Sequence, residues 1–382
     1  MPFAFEVIAR DESCKARLGT IYTDHGAVET PAFLPVATQG TVKGLTPEEV
    51  AVAGYSLLCV NTYHLYLRPG YELIREKGGL ARFMGWTRAL LSDSGGFQAF
   101  SLAQIRRIDD EGITFRSHID GSSHLLTPEL SMLVQGSLST DIAMVLDECT
   151  PYPATEQEAR RSLELSLRWA ARCKETAKPD QAVFGIVQGG VYPQLRKISL
   201  EGTCELDFDG YALGGLAVGE TEEEREGIVA EFSPQLPEDR PRYLMGIGRP
   251  EDMLFAVSAG IDIFDCVLPT RCGRNALLFT ASGPINIRNA RFREDDAPPD
   301  EACSCPVCTR FSRAYLRHLF LSKEMLAPRL ASLHNLYFYA DLMSAIRAAI
   351  SEGMLASFGK VFLEKYHSED EEIKLEECSD EG

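Results

Sequence analysis

"RPEDMLFAVSAGIDIF", residues 249–264, decides the fold. It sets Pro250 at the start of a helical pattern, Gly260 at its end, and then the short apolar run 261–264. Proline is tolerated where the first helical N–H needs no partner, and glycine ends a helix by adopting left-handed backbone. "LTPEEVAVAGYSLLCV", residues 45–60, repeats the scheme: Thr46 as N-cap, Pro47 at the first helical position, Glu49 closing a capping box, Gly54 as the stop. Eight apolar runs recur, most of them separated by helical patterns. They are "AFLPV" (32–36), "SLLCV" (56–60), "ALLS" (89–92), "IAMVL" (142–146), "AVFGIV" (182–187), "YALGG" (211–215), "RYLMG" (242–246) and "IDIF" (261–264). Each is apolar on both faces, as strands of a buried parallel sheet are. Eight strand–helix units make an α/β chain with a (β/α)8 TIM barrel. A doubly wound sheet is the rival, but it does not usually need eight strands.

Two stretches break the rhythm. "ITFRSHIDGSSHLLT" (113–127) reads as a hairpin turning at Asp120-Gly121, ahead of a helix opened by Thr127-Pro128-Glu129. The second follows the eighth strand and holds a hairpin, "ALLFTASGPINIRN", a Pro-rich link and a cysteine cluster. The expected division is therefore barrel strands and most helices in 1–274, a zinc-binding insertion in 275–334, a final barrel helix region in 335–366, and an acidic, disordered tail in 367–382.

At 382 residues and 45% hydrophobic content, the chain can bury a large barrel core. No apolar run is long enough to span a bilayer, and the N-terminus has no basic start before an apolar core. The expectation is a cytoplasmic protein whose 11 cysteines stay reduced. A net charge of −18 argues at first against a nucleic-acid partner. Between Arg271 and Arg317, however, eight arginines stand against five acids, so a basic region survives inside an acidic chain.

"CSCPVC" sets Cys303, Cys305 and Cys308 at a spacing that lets three thiolates face one tetrahedral ion, and His334 in "LHN" can complete the set. Four protein ligands leave no open position, so the expected Zn2+ is structural, one ion per subunit, and holds an insertion with little core of its own. The plainer alternative is three reduced thiols and a packed histidine.

In a parallel barrel, the reactive face lies where strands end. Those ends read Asn61-Thr62-Tyr63-His64, Asp93-Ser94-Gly95-Gly96-Phe97-Gln98, Asp147-Glu148-Cys149, Gln188-Gly189-Gly190, Gly214-Gly215-Leu216, Met245-Gly246 and Asp265-Cys266. Three aspartates, an amide, an aromatic ring and several glycines suit a flat, hydrogen-bonding heterocycle. A carboxylate takes its amidine-like N–H edge, an amide its carbonyl, and Phe97 or Met245 covers its faces. Two aspartates could act on a glycosidic bond, one as nucleophile and one as acid/base. The plain alternative is that these aspartates cap the following helices. His118 and His124 could pair on a metal, but hairpin surface positions suit them better.

These blocks resemble the tRNA-guanine transglycosylases of bacterial type, the queuine tRNA-ribosyltransferase family. The likeness runs through "TPAFLPVAT", "NTYHLYLRPG", "SDSGGFQAFSL", "LDECTPYPAT", "FGIVQGG", "GYALGGLAVGE", "YLMGIGRPEDM", "FDCVLPTR" and "GPINIRNARF" to "CSCPVC" and "LHN". Only the acidic tail lies outside it. The resemblance implies Asp265 as the nucleophile at C1′ of the wobble guanosine and Asp93 as general acid/base. It places Asp147, Gln188 and Gly215 on the base edge, Phe97 and Met245 on the ring faces, and Leu216 against the aminomethyl group. Ser94, Gly95, Gly96 and Cys149 complete the base pocket. Gly246, Gly248, Arg249, Pro250, Thr270, Arg271, Cys272, Gly273 and Arg274 would hold the anticodon loop, whose motif is U-G-U. Cationic groups must dock phosphates near the nucleophile, which itself stays ionised.

The implied reaction is a double displacement through a covalent tRNA–enzyme intermediate, from which water must be excluded. The target guanine leaves its stack to react. Exchange of base for base leaves the glycosidic bond count unchanged, so no nucleotide cofactor is expected. The incoming base is taken as 7-aminomethyl-7-deazaguanine (preQ1), as Val218 and Cys149 resemble the bacterial pocket. Queuine is the alternative. A homodimer is carried over from the family. The rivals of another class are a non-catalytic tRNA-binding subunit, against which both Asp93 and Asp265 stand, and a zinc hydrolase, which needs an open metal position.

Overall fold

The computed structural model describes residues 3–102 and 106–368, so the acidic tail from 369 onward lies outside the described residues. The chain opens with an antiparallel sheet of β1 (Ala4–Arg10), β2 (Arg17–Thr23) and β3 (Gly26–Thr30), for which the both-faces-apolar test gives no signal. β1 alternates exposed and half-buried residues, so its sequence carries charges on one face. This sheet packs at the N-terminal end of the barrel. The fully buried Arg17 grips the fully buried Asp262 with two hydrogen bonds, of 2.9 and 2.5 Å, and gives its remaining donors to the carbonyls of Glu238 and Arg240. A charge thus sits inside what reads as a continuous apolar strand. It is tolerated because Asp262 also accepts from the Arg242 amide, leaving the pair well satisfied.

The barrel strands are β4 (Ala32–Ala37), β5 (Leu57–Val60) and β6 (Ala89–Ser92). After an inserted sheet of β7 (Arg106–Ile108), β8 (Ile113–Arg116) and β9 (Ser123–Leu126) come β10 (Ile142–Met144), β11 (Ala182–Val187), β12 (Gly210–Leu213), β13 (Arg242–Leu244) and β14 (Ile263–Cys266). They close in the order β4-β5-β6-β10-β11-β12-β13-β14, all neighbours parallel, with Asp265 of β14 beside Leu34 of β4. All eight runs singled out by their apolar character are barrel strands. β5, β6, β10, β11, β12 and β13 are buried at every position, which is why they lack alternation. The capping box Thr46–Glu49 is present, and Thr155–Glu158 and Thr221–Glu224 repeat it on other outer helices.

Beyond β14, helix Leu268–Arg274 leads to the hairpin β15 (Leu277–Thr280) and β16 (Gly283–Asn286), then to the cysteine segment and helix Arg313–Leu321. The following helix runs Leu326–Ser351, so it starts well before residue 335 and carries His334 in its interior. It serves as the eighth barrel helix. Its Tyr339 ring packs 4.8 Å from Phe33 of β4, and its Leu336 carbonyl accepts from the Tyr55 hydroxyl at 2.6 Å. A last helix, Leu355–Tyr366, closes the described chain. No helix of the described residues is long and apolar enough to cross a membrane.

Candidate active site

Parallel pairing carries all the strand-end residues to the C-terminal face of the barrel. Asp93 follows β6. Its Oδ1 accepts from the amides of Thr62 at 2.8 Å and Gly95 at 3.2 Å, and its Oδ2 from the Asn61 amide group. Thr62 opens helix Thr62–Leu67, so Asp93 satisfies an orphan N–H of the helix after β5 rather than one of its own. Burial pushes its pKa up to about 6 against those hydrogen bonds, and the charge of Asp265 adds to the push.

Asp147 caps nothing. It is buried beyond β10, accepts from Gln188 Nε2 at 2.6 Å, and is likewise raised to about 6 by burial. Gln188 has no exposed surface. Its Nε2 is committed to Asp147 while its Oε1, also buried, has no hydrogen-bond partner. Gly215, at φ +64°, lies directly against that oxygen, and a Cβ there would collide with it. The amide and carboxylate are therefore joined side by side with an acceptor left over, a pair suited to a neighbouring N–H array.

Asp265, in β14, is partly open to solvent. Its Oδ1 accepts from the Tyr243 hydroxyl and from the Gly246 amide at 3.0 Å. Burial raises its pKa, and these two donors oppose the rise. Around the mouth stand Phe97, 48% exposed, the half-buried Met245, and the buried Leu216 and Cys149. The Cys149 thiol is pushed up to about 12 by burial and so stays protonated. Ser94 lies beneath. Its carbonyl accepts from Ser131 Oγ at 2.7 Å and its hydroxyl from the Gly96 amide at 3.3 Å.

Of the residues expected to hold a polyanion, Gly246 and Arg249 are exposed and Arg271 and Arg274 partly so, whereas Gly248, Pro250 and Thr270 are buried. Arg271 Nε is buried without a hydrogen-bond partner. Cys272 has no exposed surface, and Gly273 is pressed on the long helix, where an added Cβ would meet Ser332 N at 2.7 Å. These two fix the helix that carries the arginines rather than face solvent.

The cysteine segment forms a second centre. The ligand atoms of Cys303, Cys305, Cys308 and His334 all lie within 4.8 Å of one another. His334 Nδ1 stands 3.3 Å from Cys308 Sγ and 3.5 Å from Cys305 Sγ, and its Nε2 donates to the Phe279 carbonyl at 2.8 Å. That carbonyl fixes the tautomer that leaves Nδ1 free to ligate. The four residues can hold one metal ion. Asn335 ties the same turn down, with its amide donating to the carbonyls of Pro269 and Leu277, each at 2.9 Å. His118 and His124 each meet a tyrosine. They accept or donate at 3.0 Å to the hydroxyls of Tyr63 and Tyr66, packing the inserted sheet onto the helix after β5.

Four contributors escape sequence reasoning or appear there without a role: Asn61, Tyr243, Arg196 and Glu220. Arg196 is fully buried and donates to the carbonyls of Val187, Gly190 and Gly214 at 2.7–2.9 Å, bracing the loops after β11 and β12. Burial drives its pKa down to about 10, still a cation at neutral pH. Glu220 accepts from the amides of Ala217 and Val218 and so shapes the turn after Leu216. In sequence, "PQLRKISL" gives no sign that one of its cations is internal.

The model of the family described as "Queuine tRNA-ribosyltransferase" matches residues 11–368. Proteins bearing that name are similar along nearly their whole length. The one from Caldanaerobacter subterraneus subsp. tengcongensis is 52% identical over 370 residues, 96% of this chain and 99% of the relative. That from Syntrophobacter fumaroxidans is 55% identical over 347 residues, 91% of this chain and 93% of the relative. That from Thioalkalivibrio sulfidiphilus is 55% identical over 355 residues, 93% and 95% respectively. With this extent of likeness over the barrel, its mouth and the cysteine segment alike, the chain belongs to the queuine tRNA-ribosyltransferase family.

Proposed function

We propose that this glycosyltransferase exchanges the wobble guanine of tRNAs with a GUN anticodon for 7-aminomethyl-7-deazaguanine, by double displacement through an ester between Asp265 and ribose C1′. The observation that carries the reading is one mouth holding two carboxylates in different settings. Asp265 accepts its two donors through one oxygen, while Asp93, held by three donors through both oxygens, is raised to about 6 by burial and by the charge of Asp265, where it can both give and take a proton. Asp265 attacks as Asp93 protonates the departing guanine. Asp93 then takes a proton from the incoming base, which displaces the aspartate. Asp147 and the unpaired Gln188 Oε1 read the base edge, with Phe97 and Met245 on its faces and Leu216, Gly215 and Cys149 around it. The buried, unpaired Nε of Arg271 is a donor suited to a phosphate, beside Arg274 and the 246–250 loop.

A zinc ion suits the Cys303, Cys305, Cys308 and His334 set: with bonds of about 2.3 Å to sulfur, tetrahedral ligands stand roughly 3.8 Å apart. Its role there is structural. Helix Pro47–Val52 and the start of helix Leu326–Ser351, joined by Arg329 and Glu49 at 2.6 Å, expose Val52, Met325 and Leu326, which supports a homodimer. A tRNA substrate places the work in the cytoplasm. The test is incubation with labelled guanine and tRNA bearing a U-G-U anticodon loop. Label should enter the tRNA, competed by the aminomethyl base. Failure to incorporate label with folded protein ends the enzymatic reading, and preference for queuine replaces the incoming base.

A further inference from the structure

Both hydrogen bonds that the Asp265 side chain accepts from other described residues fall on one oxygen, Oδ1, one from strand β13 and one from the loop after it. Tyr243 lies in β13 with 1% of its surface exposed, so its ring cannot swing away without opening the barrel. The buried Cys59 thiol of β5 is a neighbour of the same phenol. A phenol has one proton to donate, and here the Asp265 carboxylate accepts that hydrogen bond. Burial and the neighbouring carboxylates hold the Tyr243 phenol well above its ordinary range, so it remains a donor throughout the working pH range.

We propose that Tyr243 and the Gly246 amide form a donor pair that assigns Oδ2 as the attacking atom and sets the stability of the covalent intermediate. Tyr243 acts as a positioning residue, and the inference rests on the double-displacement reading. In the first step Oδ2 bonds to C1′ as the C1′–N9 bond breaks, and its electron pair leaves with guanine, which takes a proton from Asp93. Oδ1 then becomes the ester carbonyl oxygen, still facing both donors. In the second step the incoming base, having given its proton to Asp93, bonds to C1′ and the Oδ2–C1′ pair returns to the carboxylate. Hydrogen bonds to a carboxylate are stronger than those to a neutral ester carbonyl. The pair therefore favours the free carboxylate over the ester, which makes Asp265 a better leaving group in the second step and keeps the ester from becoming a trap.

The test is Tyr243→Phe, which keeps the ring and removes the donor. With saturating tRNA and no added base, the ratio of denaturation-resistant adduct to free enzyme should rise about tenfold, while resolution by incoming base slows about tenfold. The acid limb of adduct formation should move to higher pH, because Asp265 loses a donor that opposes its raised pKa. Asp93, Cys59 and Cys266 also face this carboxylate and stay unchanged in the variant. Site-specific 3-fluorotyrosine at 243, a stronger donor, should shift both readouts the opposite way. Adduct and turnover falling together, or an unmoved acid limb, in a variant that melts like the parent would overturn the proposal. Absence of any adduct in the parent protein would instead sink the double-displacement reading.

Discussion

At the barrel mouth, the buried Asp147 and Gln188 stand with the half-buried Asp93 and Asp265, with hydrogen-bonding capacity left over, whereas at the cysteine knot four ligand atoms lie within 4.8 Å of one another. Gln188 Oε1 has no partner, and both bonds to the Asp265 side chain fall on one oxygen. In the knot, His334 has one nitrogen on the Phe279 carbonyl and the other on the thiols, and the Cys308 amide points at Cys305 Sγ from 3.3 Å. One centre is unfinished in that it has an acceptor to spare, and the other can be finished by a metal ion. Unfinished centres cost stability, because buried polar groups without full partners are disfavoured. Finished ones supply it.

Separate loss of function and of stability is the sharpest way to break this contrast. Asp265→Asn removes the proposed nucleophile, and base exchange should fall by at least about four orders of magnitude in a kinetic assay. Its melting temperature should be no lower than the parent's, since burial disfavours the charge that is removed. Cys303→Ser should do the reverse. Metal content, measured by atomic absorption, should be lost, and denaturant unfolding should show a deficit of about 4 kcal/mol or more. A Cys303→Ser protein with full metal and parental stability would contradict the ligand set.

Asp147→Asn should give a smaller effect with a pH signature. Burial raises the Asp147 pKa from 3.8 to about 6 in the folded chain. The folded state therefore binds this proton more tightly than the unfolded one, and stability from this group declines as pH rises from about 4 to about 6. Relative to the parent, the asparagine variant should gain nothing below about pH 4 and up to about 3 kcal/mol above about pH 6, with base exchange impaired. Paired urea titrations at pH 4 and pH 7.5 check it. An equal difference at both values would mean that Asp147 is not held as a strained carboxylate.

The barrel was legible because double-sided burial leaves runs such as "AVFGIV" without a polar face, and because Thr-Pro and Thr-x-x-Glu signals open the helices between them. The N-terminal sheet was not, since it alternates exposed and covered residues and, beside Ile21 and Val28, buries Arg17, a residue that sequence patterns assign to the surface. Asp93, Asp147 and Asp265 were visible as charges at strand ends. Their partners were less so. Tyr243 reads as one more apolar strand residue in "RYLMG", and what makes it a donor to Asp265 is the parallel pairing of β13 with β14. The metal set was visible in its cysteine spacing, but the helix carrying His334 begins nearer the cysteines than its amphipathic pattern suggests.

Gly273 has no clearance. A single methyl group there would strike the Ser332 amide nitrogen at 2.7 Å, which is main chain of a packed helix and cannot step aside. The arginine-bearing helix and the histidine-bearing helix consequently move as one mechanical part, further bolted by Ser332 Oγ on the Thr270 carbonyl at 3.3 Å. Any loosening of the knot is transmitted to the proposed RNA grip as a change of alignment, so a starved metal site would weaken substrate capture before it touched a single reacting atom.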